Sequence, residues 1–218
     1  MLFGVKERDT GLRRFREVFD LRGRKNGKST ENAALGLYLS LEEPGAEVYV
    51  AATIRAQAMR VWEESRSMIS KSEALKKRFS SKVFPQPEII LESRDSSYKV
   101  LSRDVKTQDG LNASCAIIDE VHELPRETYD ILKQATSSRE QPMVSMITTA
   151  GFRRKALFDD HYEYSIKVLD GTVDDARWMA LLYELDDESE IEDPNMWVKA
   201  NPGLGVIKKV EALHECLS

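Results

Sequence analysis

The chain has 218 residues, 41% hydrophobic and 32% charged, with a formal net charge of −5. Those values suit one globular domain with a small appendage, and they exclude collagen, coiled coil and pervasive disorder. No uninterrupted apolar run approaches the roughly 20 residues of a membrane helix, and Cys115 and Cys216 form no close pair, which excludes a disulfide scaffold and fits a reducing compartment.

The N-terminus carries Lys6, Arg8, Arg13 and Arg14 without an apolar core, so no secretory signal is expected. Residues 15–21 read as a strand, 22–27 as a loop rich in Gly and Arg, and 28–41 as a helix with Ala33, Ala34, Leu37, Tyr38 and Leu41 on one face. Pro44-Gly45 stops that helix. A buried strand is predicted over 47–52, a helix over 55–70, and short strands near 89–91 and 98–101. The apolar run C-A-I-I-D at 115–119 lacks alternation, the pattern of a strand covered on both faces. A helix over 125–136, a strand over 143–149 and a helix near 155–169 follow. Strands and helices alternate, so the predicted class is α/β with a mostly parallel central sheet flanked by helices. The texture changes after Gly171, and a subdomain boundary is expected near residue 170. An acidic loop at 186–193 and the run W-V-K-A-N-P-G-L-G at 197–205 lie beyond it. Charge is uneven along the chain. Residues 1–30 hold nine Lys/Arg against four Asp/Glu, and residues 170–218 hold four against twelve.

Three constellations carry chemistry. R-G-R-K-N-G-K-S-T at 22–30 falls between a predicted strand and a predicted helix. Its second half, Gly27-Lys28-Ser29, matches the phosphate-loop pattern, while Arg22 holds the place of the first glycine. Backbone N–H groups at a helix N-terminus suit an anion. Lys28 would reach β/γ oxygens and Ser29 would ligate Mg²⁺. The second is the strand 115–119 ending in Asp119-Glu120. Asp119 would hold Mg²⁺ through its water shell, and Glu120 would deprotonate the attacking water. The third is Thr148-Thr149-Ala150-Gly151, whose hydroxyls could sense the γ-phosphate; a strand-end turn capping the next helix is the alternative. His161 and His214 have no partners at metal-ligand spacing, and His122, Cys115 and the three tryptophans read as supporting or core residues.

Together these segments resemble the N-terminal motor domain of the large terminase subunit of tailed bacteriophages. The resemblance is carried by R-K-N-G-K-S-T at 24–30, A-E-V-Y-V-A-A-T at 46–53 with Gln57-Ala58, D-G-L-N at 109–112 and I-I-D-E-V-H-E at 117–123. R-E-Q-P at 139–142, I-T-T-A-G at 147–151 and W-V-K-A-N-P-G-L-G at 197–205 complete it. It implies a P-loop NTPase fold of the RecA/ASCE type with a small C-terminal lid. Residues 1–170 would be the ATPase core and 171–218 part of the lid, with the nuclease domain missing. ATP and Mg²⁺ are the implied cofactors. Arg24, Lys25, Asn26, Gly27, Lys28, Ser29 and Thr30 would bind nucleotide, and Ser29 and Asp119 would hold Mg²⁺. Glu120 would be the base, and Thr148, Thr149, Ala150 and Gly151 would couple hydrolysis to movement. The implied partners are double-stranded DNA, a portal protein, a small terminase subunit and other copies in a ring, expected to be a pentamer, in the cytoplasm of a bacterial host. Arg139 is the candidate for an arginine finger acting on a neighbour, with Arg55 and Arg103 as competitors.

Two departures stand out. No adenine-recognition segment precedes the phosphate loop, and no carboxylate cluster suits a two-metal nuclease; consecutive acids at 186–193 do not preorganise one. Two other readings therefore stay open. One is a truncated fragment that acts at most as a nucleotide-binding or assembly module. The other is a helicase-like ATPase.

Overall fold

In the computed structural model, residues 2–101, 110–149 and 157–217 are described. Eight strands form one sheet in the order β3-β4-β5-β2-β6-β7-β1-β8. The strands are β1 (Glu17–Leu21), β2 (Glu47–Ala51), β3 (Ser80–Lys82), β4 (Glu88–Leu91), β5 (Ser96–Val100), β6 (Cys115–Asp119), β7 (Met143–Thr148) and β8 (Trp178–Leu182). All neighbours from β5 to β8 pair in parallel, whereas β3, β4 and β5 form an antiparallel edge. Three helices, α1 (Lys28–Glu42), α2 (Arg55–Lys71) and the short α3 (Glu73–Lys76), precede β3. Helix α4 (Arg126–Ala135) links β6 to β7, and α5 (Leu157–Leu169) precedes β8. Two short helices, α6 (Trp197–Ala200) and α7 (Glu211–Leu217), end the described chain.

The sheet is buried on both faces because successive strand residues point to opposite sides. Val18, Val48, Val50 and Ile117 pack with Ala33, Leu37, Ala58 and Trp62 of α1 and α2. Phe19, Ala116 and Ile118 pack with Leu132 of α4 and Phe158 of α5. Each large side chain so buried contributes about 1.5–3 kcal/mol. Strand β6 is buried along its whole length, as its unbroken apolar run predicts.

The sheet does not stop at the boundary expected near residue 170. β8 pairs with β1 in register, Glu17 opposite Trp178 and Leu21 opposite Leu182. Its indole-bearing first residue packs on Phe19, with ring centroids 6.4 Å apart. Residues through Leu182 therefore belong to the central layer. Strand β3 is a second addition; all three of its residues are exposed, so it has no apolar signature.

Candidate active site

The order of the central strands builds the site. β7 lies between β1 and β6, with Leu21 opposite Thr148 and Ile147 opposite Asp119. The loop after β1, the threonines ending β7 and the acids ending β6 thus emerge side by side at the carboxyl edge of a parallel sheet. Such crevices are where ligands bind in open α/β folds.

The loop after β1 turns through two left-handed residues, Lys25 (φ 62°) and Gly27 (φ 80°), and helix α1 begins at Lys28. A side chain at Gly27 would be strained by that φ, which explains glycine there. The helix N-terminus then faces outward with its first N–H groups free to meet an anion. Lys28 is largely buried, and burial lowers its pKa, with the nearby acids Glu120, Asp20 and Asp119 opposing the shift. Its Nζ donates to Arg22 O at 2.8 Å and Gly23 O at 3.2 Å. Arg22, standing where the pattern has glycine, is not free for a ligand. Its guanidinium is held by Asp20 and Glu31 and lies over the Tyr183 ring, 6.0 Å from the centroid.

Asp119 is buried, and burial pushes its carboxyl up to about 6, with the adjacent Glu120 charge adding to the effect. It accepts the backbone N–H of Glu120 at 3.0 Å. Glu120 itself adopts a left-handed backbone (φ 55°), which a non-glycine residue keeps only where its surroundings impose it. Two neighbours hold its carboxylate. The Nδ1 of His122 lies 3.3 Å from Glu120 Oε2, and Thr149 Oγ1 lies 3.5 Å from the same oxygen. His122 Nδ1 is also 2.9 Å from Thr148 Oγ1, whose own proton goes to Thr149 O at 3.0 Å. Thr148 therefore accepts from His122, which places the proton on Nδ1.

A pocket of about 260 Å³ joins these groups. Arg24, Lys25, Gly27, Lys28, Ser29 and Thr30 line one side of it, and Asp119, Glu120 and Thr149 the other. Of the residues expected to bind nucleotide, Asn26 does not line it; it is buried beneath the loop. Thr148 is fully buried behind Thr149. Ala150, Gly151 and Arg103 lie outside the described residues. Gln57 and Arg60 of α2 also line the pocket. Gln57 was visible only through the resemblance, and Arg60 was missed; it stands one turn after Gln57, and that helical spacing was the available signal.

Arg139 must be corrected. Its side chain is mostly buried, with Nε and Nη2 donating to Asn112 O, Nη2 also to Gly45 O at 2.8 Å, and Nη1 to Glu43 at 3.1 Å. Those acceptors precede β2 and β6 or end α1, so the guanidinium clamps the amino edge of the sheet. A finger that enters a neighbour's site needs free donors, and these are occupied. Arg55 is exposed at the first residue of α2.

A phosphate loop after one parallel strand, a buried aspartate and a glutamate at the end of another, and a threonine-ended strand between the two define a P-loop NTPase of the ASCE type. The family models make this specific. The model for the terminase large subunit ATPase domain matches residues 1–167, and the model for the terminase large subunit endonuclease domain matches residues 172–218. The chain belongs to the terminase large subunit family. It is 27% identical over 216 residues to the terminase large subunit of Lactococcus phage p2, covering 97% of this chain and 40% of that protein. Its fold matches the large terminase of bacteriophage HK97 with a TM-score of 0.81 at 21% identity, covering 92% of this chain and 42% of that one. The large terminase of a thermophilic bacteriophage in complex with ADP matches with a TM-score of 0.59 at 11% identity, over 85% of this chain and 44% of that one. The chain thus spans about two fifths of these relatives. Among the described residues, no helix is long and apolar enough to cross a membrane, and no group of three His, Cys, Asp or Glu side chains is placed to hold a metal.

Proposed function

We propose that this chain hydrolyses ATP with Mg²⁺ and drives double-stranded DNA into a viral procapsid. The observation that carries the reading is the convergence of Lys28, Ser29, Asp119 and Glu120 on one pocket. The donor set fits Mg²⁺. Ser29 offers a hydroxyl, and Asp119 is a buried carboxyl whose ionisation burial resists until a cation compensates it. Bound there, Mg²⁺ would neutralise charge on the β- and γ-phosphate oxygens.

The chain's own groups divide the remaining work. Backbone N–H groups from Arg24 to Lys28 cradle phosphate, and Lys28 leaves the carbonyls of Arg22 and Gly23 to meet it. Glu120, held by His122 and Thr149, accepts the proton of a water attacking the γ-phosphorus in line. The new P–O bond forms as the bond to the β-bridging oxygen breaks. Arg60 supplies positive charge from the α2 side of the same chain's pocket. Thr148 and Thr149 sense the change at Glu120 through His122.

In this reading the lid begins after β8, beyond Leu182. A ring of copies, expected to be a pentamer, would act with a portal protein and a small terminase subunit in the host cytoplasm. That a structural relative forms a complex with ADP supports nucleotide binding by this chain.

The test is steady-state ATP hydrolysis by wild type and Glu120→Gln. A general base contributes about a hundredfold or more, so the variant should lose at least that much while still binding Mg-ATP. Equal rates at the uncatalysed background would end the hydrolysis reading for this chain.

A further inference from the structure

The phosphate loop is bound to a segment 175 residues further on. Asn26 is almost fully buried directly before Gly27. Its Nδ2 donates to Gly23 O at 3.0 Å, to Arg24 O at 3.2 Å and to Asn201 Oδ1 at 3.0 Å. Its Oδ1 accepts the backbone N–H of Gly203 at 3.0 Å. Gly23 N donates to Ala200 O at 3.1 Å. Gly23 has no room for more: a Cβ there would sit 2.7 Å from Asn201 Oδ1. Asn201, itself buried, uses its other amide atom on Trp197 O at 3.0 Å, and its Oδ1 also accepts from Lys208 Nζ at 2.8 Å. Trp197 anchors the segment by burying its indole and donating Nε1 to Ile191 O at 2.7 Å.

We infer that residues 197–208 are a positioning element of the phosphate loop, with Asn201 holding the loop in its anion-receiving shape through Asn26. The inference rests on the nucleotide-binding reading. It adds that the part of the chain matched by the endonuclease model completes the ATPase site. The physical reason lies in the carbonyls. Arg22 O and Gly23 O now accept from Lys28. When Lys28 turns to phosphate, those bonds go, and Asn26 remains as the donor that keeps Gly23 O and Arg24 O turned inward and the loop N–H groups outward. By linkage, nucleotide in the loop and docking of 197–208 must strengthen each other by the same factor.

The experiment combines hydrogen exchange with Mg-ADP titration on the whole chain, for wild type, Asn26→Ala, Asn201→Ala and the double variant. Without nucleotide, Asn201→Ala should raise exchange at 22–28 by about tenfold while β6 keeps its protection. Mg-ADP affinity should fall by about tenfold, and the double variant should bind no more weakly than the weaker single one. Unchanged loop exchange with affinity within about twofold of wild type would overturn the proposal. If Asn201→Ala unfolds the sheet, wild type alone decides: protection of 197–208 by Mg-ADP supports the coupling, and protection confined to 22–30 overturns it. Wild type that binds no Mg-ADP would defeat the nucleotide-binding reading instead, leaving the nucleotide-free exchange to judge the loop contact.

Discussion

Helix α1 runs between two ends of the sheet that handle buried charge in opposite ways. At its C-terminus, Arg13 and Arg139 meet the strand starts. Arg13 donates to Phe15 O, Gln141 O, Pro142 O and Glu42, and Arg139 to Asn112 O, Gly45 O and Glu43. The α1 carbonyls end beside them, where positive charge is favoured. Both guanidinium groups have their acceptors, although the neighbouring Arg16 Nε is buried without one. At the N-terminus of α1, Lys28 is desolvated and donates to loop carbonyls, Asp119 is buried with its charge only partly offset by Lys28 and Arg60, and Lys25 and Glu120 hold left-handed backbone. One end is built for stability. The other stores unfavourable arrangements that a ligand carrying phosphates and a cation would relieve. A desolvated lysine, a buried carboxyl and a left-handed glutamate gathered in one crevice therefore identify a site better than arginine content does.

Substitutions at the two ends sharpen this contrast. The largest effect on stability is expected at the clamp. Arg139→Ala removes several part-buried hydrogen bonds and leaves carbonyls without donors, so it should cost about 3 kcal/mol in denaturant unfolding. The surviving folded fraction should bind nucleotide as wild type does. A normal melting profile with lost ATPase activity would instead return Arg139 to the catalytic machinery.

At the opposite end a smaller effect of opposite sign is expected. Asp119 has a folded pKa near 6 against an ordinary value of 3.8. The folded state thus holds its proton more tightly, and stability is lost as pH rises from about 4 through 6. Asp119→Asn should flatten that slope and stabilise the nucleotide-free protein at pH 7 by about 1–2 kcal/mol, while abolishing the response to Mg²⁺. A destabilised variant would mean that the carboxylate is satisfied already, which would weaken the contrast between the ends.

Much of the fold was legible because local pattern and tertiary role agree in the central strands. The unbroken apolar run at 115–119 became β6 residue for residue, and the Gly27-Lys28-Ser29 turn became the start of α1. β8 was harder to see. Trp178-Met179-Ala180-Leu181-Leu182 follows a polar stretch, and only its pairing with β1 reveals it as part of the core. The site's ends were readable where chemistry is concentrated in consecutive residues, as in Asp119-Glu120. Arg60 was not, because helix α2 brings it to the pocket from a different segment. Nor was the contact between Asn26 and Asn201, since an asparagine's partner across 175 residues leaves no mark in either neighbourhood.

The central claim is that the carboxyl edge of the sheet is poised for a phosphate ligand, and thermal unfolding of wild type and Lys28→Ala with and without Mg-ATP tests it most directly. At about one hundred times its dissociation constant the nucleotide should raise the wild-type melting temperature by about 5–10 °C, and Lys28→Ala should show no rise. A cooperatively melting wild type that Mg-ATP leaves unmoved, or an equal rise in both proteins, would contradict it.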